Sequence, residues 1–287
     1  MKVTDCHAHL ADARIWDARA SWLADCRHHG LVGALANAAQ LDEWPRVMQL
    51  SQEAPEILPA LGIHPFWPEQ WTAEAKATLE RHLKANKLAA VGEIGLDFWN
   101  GRGNQALQER AFADQLQLAV QYGLPACIHN RKSWQEFFGI LNELKISELR
   151  GYCHNFTGSR ETARQILDKG LHISFCSPVT YPEADRLRQV SAFVPAERLL
   201  VETDAPDLPQ MPYRGAFSYP WQTIGVVKAL ATARRIAPEA LAEQIVVNFQ
   251  GLFNKRDGGD GRDGGDGGDY FTHQAMSHSS HSSPLSL

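Results

Sequence analysis

The feature that most limits the folds open to this chain is a period. Short apolar runs alternate with longer amphipathic runs eight times. The strand-like runs are Val3–His9, Leu31–Asn37, Ile57–His64, Ala89–Leu96, Pro125–His129, Arg150–Phe156, Leu171–Cys176 and Arg198–Asp204. Helix-like runs separate them: Ala18–His29, Leu41–Glu53, Thr72–Asn86, Gln105–Tyr122, Ser133–Leu144, Ser159–Lys169 and Pro182–Phe193. Two more, Trp221–Ile236 and Pro238–Phe249, follow the last strand. Thr72 and Ser159 stand where N-caps are expected, and Gly30, Gly123 and Gly170 where helices stop. Continuous apolar strands joined by helices indicate a parallel sheet covered on both sides. Eight such units in about 250 residues match a (β/α)8 TIM barrel, an α/β fold. A doubly wound open sheet is disfavoured, because no Gly-x-Gly-x-x-Gly follows the first strand.

The barrel is expected to occupy residues 1–256. Residues 257–287 are Asp-Gly-Gly repeats followed by a Ser/His-rich end, a composition that predicts a disordered tail. The tail also skews the charge. It holds five Asp and one Arg of a chain whose formal net charge is −5, which leaves the body with 28 acidic and 27 basic residues. A body so near neutrality has no broad cationic footprint for nucleic acid, so any phosphate recognition must be local. The five cysteines are odd in number and never spaced Cys-x-x-Cys, and they read as reduced, mostly buried thiols. No apolar run reaches transmembrane length and no basic-then-apolar signal opens the chain. The expectation is a cytoplasmic protein with no membrane association and no protein partner.

The ends of the strand-like runs carry the chemistry. Asp5, His7 and His9 alternate along the first, which would put them on one face. His64 ends the third, Glu93 lies in the fourth, His129 ends the fifth, His154 lies in the sixth and Asp204 ends the eighth. The steps from His64 to Glu93, His129 and His154 are 29, 36 and 25 residues, about one βα unit each. Those from His9 to His64 and from His154 to Asp204 are 55 and 50, about two units. A barrel would gather His7, His9, His64, Glu93, His129, His154 and Asp204 at its C-terminal mouth, where barrel enzymes place their chemistry. Imidazoles and carboxylates suit Zn, Mn or Fe and, with waters, Mg. Glu93 could bridge two ions, with His7, His9 and Asp204 on one and His129 and His154 on the other. Paired ions activate water and clamp the attacking and leaving oxygens.

The segments Asp5-Cys6-His7-Ala8-His9, Gly62-Ile63-His64-Pro65, Gly92-Glu93-Ile94-Gly95-Leu96-Asp97, Ile128-His129-Asn130-Arg131, His154-Asn155-Phe156-Thr157-Gly158-Ser159 and Glu202-Thr203-Asp204-Ala205-Pro206 carry a resemblance. Over about residues 2–254 the chain resembles the TatD-type metal-dependent deoxyribonucleases of the amidohydrolase superfamily. That resemblance implies the barrel, two divalent metal ions (Mg, Mn or Zn) and phosphodiester hydrolysis by a metal-activated water. It implies metal ligands at His7, His9, Glu93, His129, His154 and Asp204, catalytic roles for Asp204, Glu93 and His64, and a nucleic acid substrate, DNA first. Phe66 stands where many members carry a second histidine, and Asn155 where a small residue or Cys is common.

Arg131 and Arg214 are candidate substrate-binding residues, able to fork onto a phosphate. The N-terminus of the helix after Ser159 could also take a phosphate. Phe66, Trp67, Phe98 and Trp99 lie beyond strand ends, where they could stack on bases or pack the rim. An amidohydrolase acting on a small ester, lactone or amide shares the fold. Many such relatives bridge their metals with a modified lysine, and Glu93 in that place favours the TatD type. A metal-stabilised scaffold without catalysis is the third reading, opposed by the complete ligand set.

Overall fold

The computed structural model describes residues 1–253. The expected disordered tail, 257–287, lies outside the described residues. Eight parallel strands follow one another in chain order: β1 Val3–Ala8, β2 Leu31–Asn37, β3 Ile57–Leu61, β4 Ala90–Asp97, β5 Ala126–Arg131, β6 Gly151–Cys153, β7 His172–Phe175 and β8 Leu199–Val201. The ring closes just beyond the last strand. Asp204 N–H donates to the His7 carbonyl at 3.0 Å, and His9 N–H to the Ala205 carbonyl at 2.6 Å. The architecture is a (β/α)8 TIM barrel.

Among the described residues ten α-helices cover or cap the strands: α1 Ala13–Trp16, α2 Arg19–His28, α3 Trp44–Glu53, α4 Ala73–Lys84, α5 Gln105–Gln121, α6 Trp134–Glu143, α7 Arg160–Asp168, α8 Asp185–Phe193, α9 Thr223–Arg234 and α10 Pro238–Phe253. Thr72 and Ser159 cap α4 and α7 by accepting the N–H groups of Ala75 and Thr162. Each satisfies a donor the first helical turn leaves free.

Two apolar layers follow from strand alternation. Outward residues such as Ala34, Ile57, Val91, Ile128, Ile173 and Val201 pack beneath the helices. Inward residues Leu35, Leu58, Ala60, Ala90, Cys127, Tyr152 and Leu200 form an inner plug, closed from below by Phe249, Leu252 and Phe253 of α10. The site residues continue the inner rows upward: His129 follows Cys127 by two, His154 follows Tyr152, and Glu202 and Asp204 follow Leu200.

Simple alternation fails in two strands. In β4 the register shifts between Val91 and Ile94, which turns Glu93 inward although it follows inward Ala90 by three. In β1 the register shifts between Asp5 and Ala8. Asp5 is therefore not on the face of His7 and His9, contrary to the sequence expectation. Its carboxylate accepts the Thr203 hydroxyl (2.5 Å) and the N–H groups of Thr203 and His7.

Strand ends also differ from expectation where helix α5 intervenes. Gln115 accepts the Ile63 N–H (2.7 Å) and donates to the Ile63 carbonyl, so β3 ends at Leu61. Gln108 does the same at Asp97, the last residue of β4. Gly95 allows β4 and β5 to approach: a Cβ there would lie 1.9 Å from the His129 carbonyl oxygen.

Candidate metal centre at the barrel mouth

Glu93, buried at the mouth, is the hub. Its Oε2 lies 3.2 Å from His7 Nε2 and 3.3 Å from His9 Nε2. Its Oε1 lies 2.9 Å from His129 Nδ1, 2.8 Å from His154 Nε2 and 3.4 Å from His64 Nε2. Asp204 Oδ1 joins the first group, 3.4 Å from His9 Nε2 and 3.8 Å from His7 Nε2. One carboxylate thus turns one oxygen to each of two imidazole sets.

The far nitrogen of each ring decides what the near one can do. His7 Nδ1 lies 3.1 Å from the Tyr152 hydroxyl, which itself donates to the Cys6 carbonyl, so the imidazole is the donor. His9 Nδ1 donates to the Asn37 carbonyl at 3.2 Å and His129 Nε2 to Asp97 at 2.9 Å. His154 Nδ1 is 3.3 Å from Glu202 Oε1, in ion-pair range though off the line of a hydrogen bond. Glu202 is held in turn by the Asn155 N–H at 2.6 Å. Acceptors behind these four rings keep the protons there and turn lone pairs inward, as metal-binding histidines require. His64 is reversed. Its Nδ1 accepts the Phe66 N–H at 3.1 Å, so the neutral ring carries its proton on the Nε2 that faces the centre. His64 is therefore a donor toward the centre, unlike the other four.

Ionisation fits a cation site. Burial opposes charge on Glu93, but His64, His154 and His7 hold its carboxyl well below the usual range. Burial likewise opposes charge on Asp204, and His9 keeps it ionised. Burial opposes the proton of His9, yet Asp204 and Glu93 raise its pKa to about 9. Desolvation lowers His64 to about 4. Asp204 Oδ1 is buried with no hydrogen-bond partner, as expected of an oxygen meant for a cation. The donor atoms of His7, His9 and Asp204 lie within 4.8 Å of one another, as do those of His64, Glu93 and His129. The nitrogen and oxygen donors suit Zn, Mn or Mg.

A family model described as TatD related DNase matches residues 4–254. The chain belongs to this family. It is 33% identical over 220 residues to the metal-dependent hydrolase YcfH of Escherichia coli K12, covering 77% of this chain and 82% of YcfH. It is 31% identical over 236 residues to the 3'-5' ssDNA/RNA exonuclease TatD of Erwinia tasmaniensis, covering 79% and 90%. The crystal structure of YjjV, a TatD homologue from E. coli K12, superposes with a TM-score of 0.82 at 29% identity, covering 88% and 97%. The chain is a TatD-family metal-dependent hydrolase.

The centre of this TatD-family hydrolase opens into a cavity of about 820 Å³, lined among others by His9, His64, Phe66, Trp99, Arg131, Lys132, Asn155 and Asp204. Of the four aromatics beyond the strand ends, Phe66 and Trp99 are exposed there, Phe98 is buried and Trp67 packs on the core. Phe66 lies edge-on to His64, ring centres 4.4 Å apart. Arg214 is outside the cavity lining, stacked on Tyr181 at 4.3 Å and 3.7 Å from Glu183. Ser159 is an N-cap. Asp97, Glu202, Tyr152 and the Asn37 carbonyl were not among the site residues expected from sequence. Asp97 and Glu202 do fall inside the motif segments. Among the described residues no helix is long and apolar enough to cross a membrane.

Proposed function

We propose that this protein is a deoxyribonuclease that hydrolyses phosphodiester bonds with two divalent ions, Mg, Mn or Zn. The observation that carries the reading is the divided carboxylate of Glu93, one oxygen toward His7 and His9, the other toward His129 and His154. In this reading those five residues and Asp204 are the ligands. When bound, the ions supply an activated water and a clamp on the phosphoryl oxygens. Asp204 takes the proton of the attacking water through its carboxylate, which His9 keeps ionised. His64, neutral at pH 7 with its proton on Nε2, donates to a phosphoryl oxygen as charge builds on it. Tyr152, Asn37, Asp97 and Glu202 hold the imidazoles in their ligating tautomers. Arg131 contacts phosphate, and Arg214, drawn onto Tyr181, has no part.

The name of the Erwinia relative supports a nucleic acid substrate, as does the unpaired Arg131 at the cavity lip. The test is the purified chain with Mg, Mn or Zn against single-stranded DNA, RNA and a panel of small esters, lactones and amides. Metal-dependent cleavage of DNA is expected. Turnover of the small substrates alone would replace the nuclease reading with that of an amidohydrolase.

A further inference from the structure

Trp99 and Lys132 line the mouth cavity, yet neither enters the chemistry above. Trp99 follows β4 and is 52% exposed. The Arg131 guanidinium carbon lies 4.0 Å from the centre of its ring, and Lys132 Nζ lies 3.9 Å away. Two cations therefore rest on one indole, whose negative face attracts both against their mutual repulsion. The backbone sets this arrangement. Asp97 and Arg131 are partners in the β4–β5 ladder, and the Phe98 N–H donates to the Arg131 carbonyl at 2.9 Å. Lys132 stands at φ 57°, a left-handed conformation unfavourable for a lysine. Strain of that kind concentrates at functional sites.

Neither cation is in a direct ion pair, although Asp97 feels the charge of Arg131. Among the described residues, no carboxylate lies within ion-pairing distance of the Arg131 or Lys132 side chain. The third cation of the cavity, Arg14, is instead forked between Asp12 (2.6 Å) and Asp207 (2.8 Å). Asn130, between His129 and Arg131, adds a buried amide nitrogen with no hydrogen-bond partner. Away from the histidines of the centre, the charged groups of the wall include the carboxylates of Asp12, Glu43 and Asp207, so the two cations give this stretch of it a local attraction for an anion. That place is offset from the hydrolytic centre. His129 and Arg131 share a face of β5 two residues apart, roughly 7 Å along the strand.

We propose that Arg131, Lys132 and Trp99 form a seat for a second phosphate, next along the strand from the one being cleaved. The inference rests on the phosphodiester reading above. It makes the favoured substrate a chain with successive phosphates, and it makes Trp99 an organiser of cations rather than a free platform for bases.

The test uses the full chain in chelator, with labelled single-stranded octathymidylate followed by anisotropy over a salt series. Each phosphate contact on a single strand contributes about 0.7 to the slope of log K against log salt. Lys132→Gln is expected to lower the slope by about 0.7, and the Arg131→Gln/Lys132→Gln pair by about 1.4. Trp99→Ala, which leaves both charges present, should weaken binding several-fold. Lys132→Gly separates function from folding: it should bind as weakly as Lys132→Gln while its melting temperature holds or rises, because glycine adopts the left-handed conformation freely. With Mn²⁺ restored, wild-type KM should drop several-fold from dithymidylate to trithymidylate, and that drop should vanish in Lys132→Gly. A wild-type slope and KM drop in Lys132→Gly, together with wild-type affinity in Trp99→Ala, would refute the seat and leave the nuclease reading standing. A wild-type protein that neither binds nor cleaves any oligonucleotide would overturn the phosphodiester reading, and the seat with it.

Discussion

Replacing Glu93 by Gln keeps the shape of the hub and changes one of its two oxygens into an amide nitrogen. Each oxygen serves a different imidazole set at 2.8–3.3 Å. Whichever way the amide turns, one set keeps an oxygen and the other faces an N–H pair that no cation accepts. The variant should therefore lose one ion and keep the other more weakly. A unit charge and a divalent ion taken at about 4 Å with an effective dielectric near 20 attract by about 8 kcal/mol. Halving that for recovered solvation leaves about 4 kcal/mol, roughly a thousandfold in Kd for the orphaned ion. At micromolar free metal, elemental analysis of dialysed protein should find two ions per chain in the wild type and one in Glu93→Gln, with near-UV circular dichroism confirming the fold. Two retained ions would show that the bridge is not what holds the pair, and the ligand assignment would have to be redrawn.

Asp204→Asn should keep most of its metal, since the amide oxygen can still ligate, yet lose on the order of 10²–10⁴ in single-turnover rate, the usual worth of a positioned base. A near-wild-type rate would remove Asp204 from that role. The pH response should have opposite signs with and without metal. The folded pKa of His9, about 9, exceeds its unfolded value of 6.5, so its protonated form stabilises the metal-free protein fully below 6.5 and ceases to as pH rises through 9. That amounts to about 3 kcal/mol. The melting temperature in chelator should fall across that window, while metal affinity measured by calorimetry rises as the proton leaves. A chelator melting temperature that climbs from pH 6.5 to 9 would contradict the His9 environment. Truncation after residue 256 should leave melting temperature and turnover unchanged, because all eight βα units are complete by Phe253; a large fall in either would make the tail integral.

The barrel was legible because its rows are regular. Cys127 to His129 and Arg131, Tyr152 to His154, and Leu200 to Glu202 and Asp204 each step by two from the inner plug to the mouth, so alternation and one-unit spacing lead to the same residues. Asp5 was misplaced for the reason that β1 is irregular. A register shift between Asp5 and Ala8 is invisible to a pattern that assumes strict alternation. The end of β3 was misplaced because a side chain took over from a strand: Gln115 meets both polar groups of Ile63. A glutamine in a helix 52 residues away gives no local signal of that bond.

Tautomers were the least legible part, since they depend on atoms brought from other strands. His129 and its acceptor Asp97 are 32 residues apart, and His7 and Tyr152 are 145 apart. Spacing alone cannot separate a ligating histidine from a donating one, and His64 looked like the others for that reason. What reverses it is a backbone N–H two residues on. This also bears on Phe66, which stands where the family resemblance implies a second histidine. The bond to His64 Nδ1 comes from the peptide of residue 66, and every residue but proline can supply it. The exchange at position 66 therefore leaves the orientation of His64 intact. It sets only the ring presented edge-on to His64 at the cavity lip, which in this chain is apolar and carries no proton.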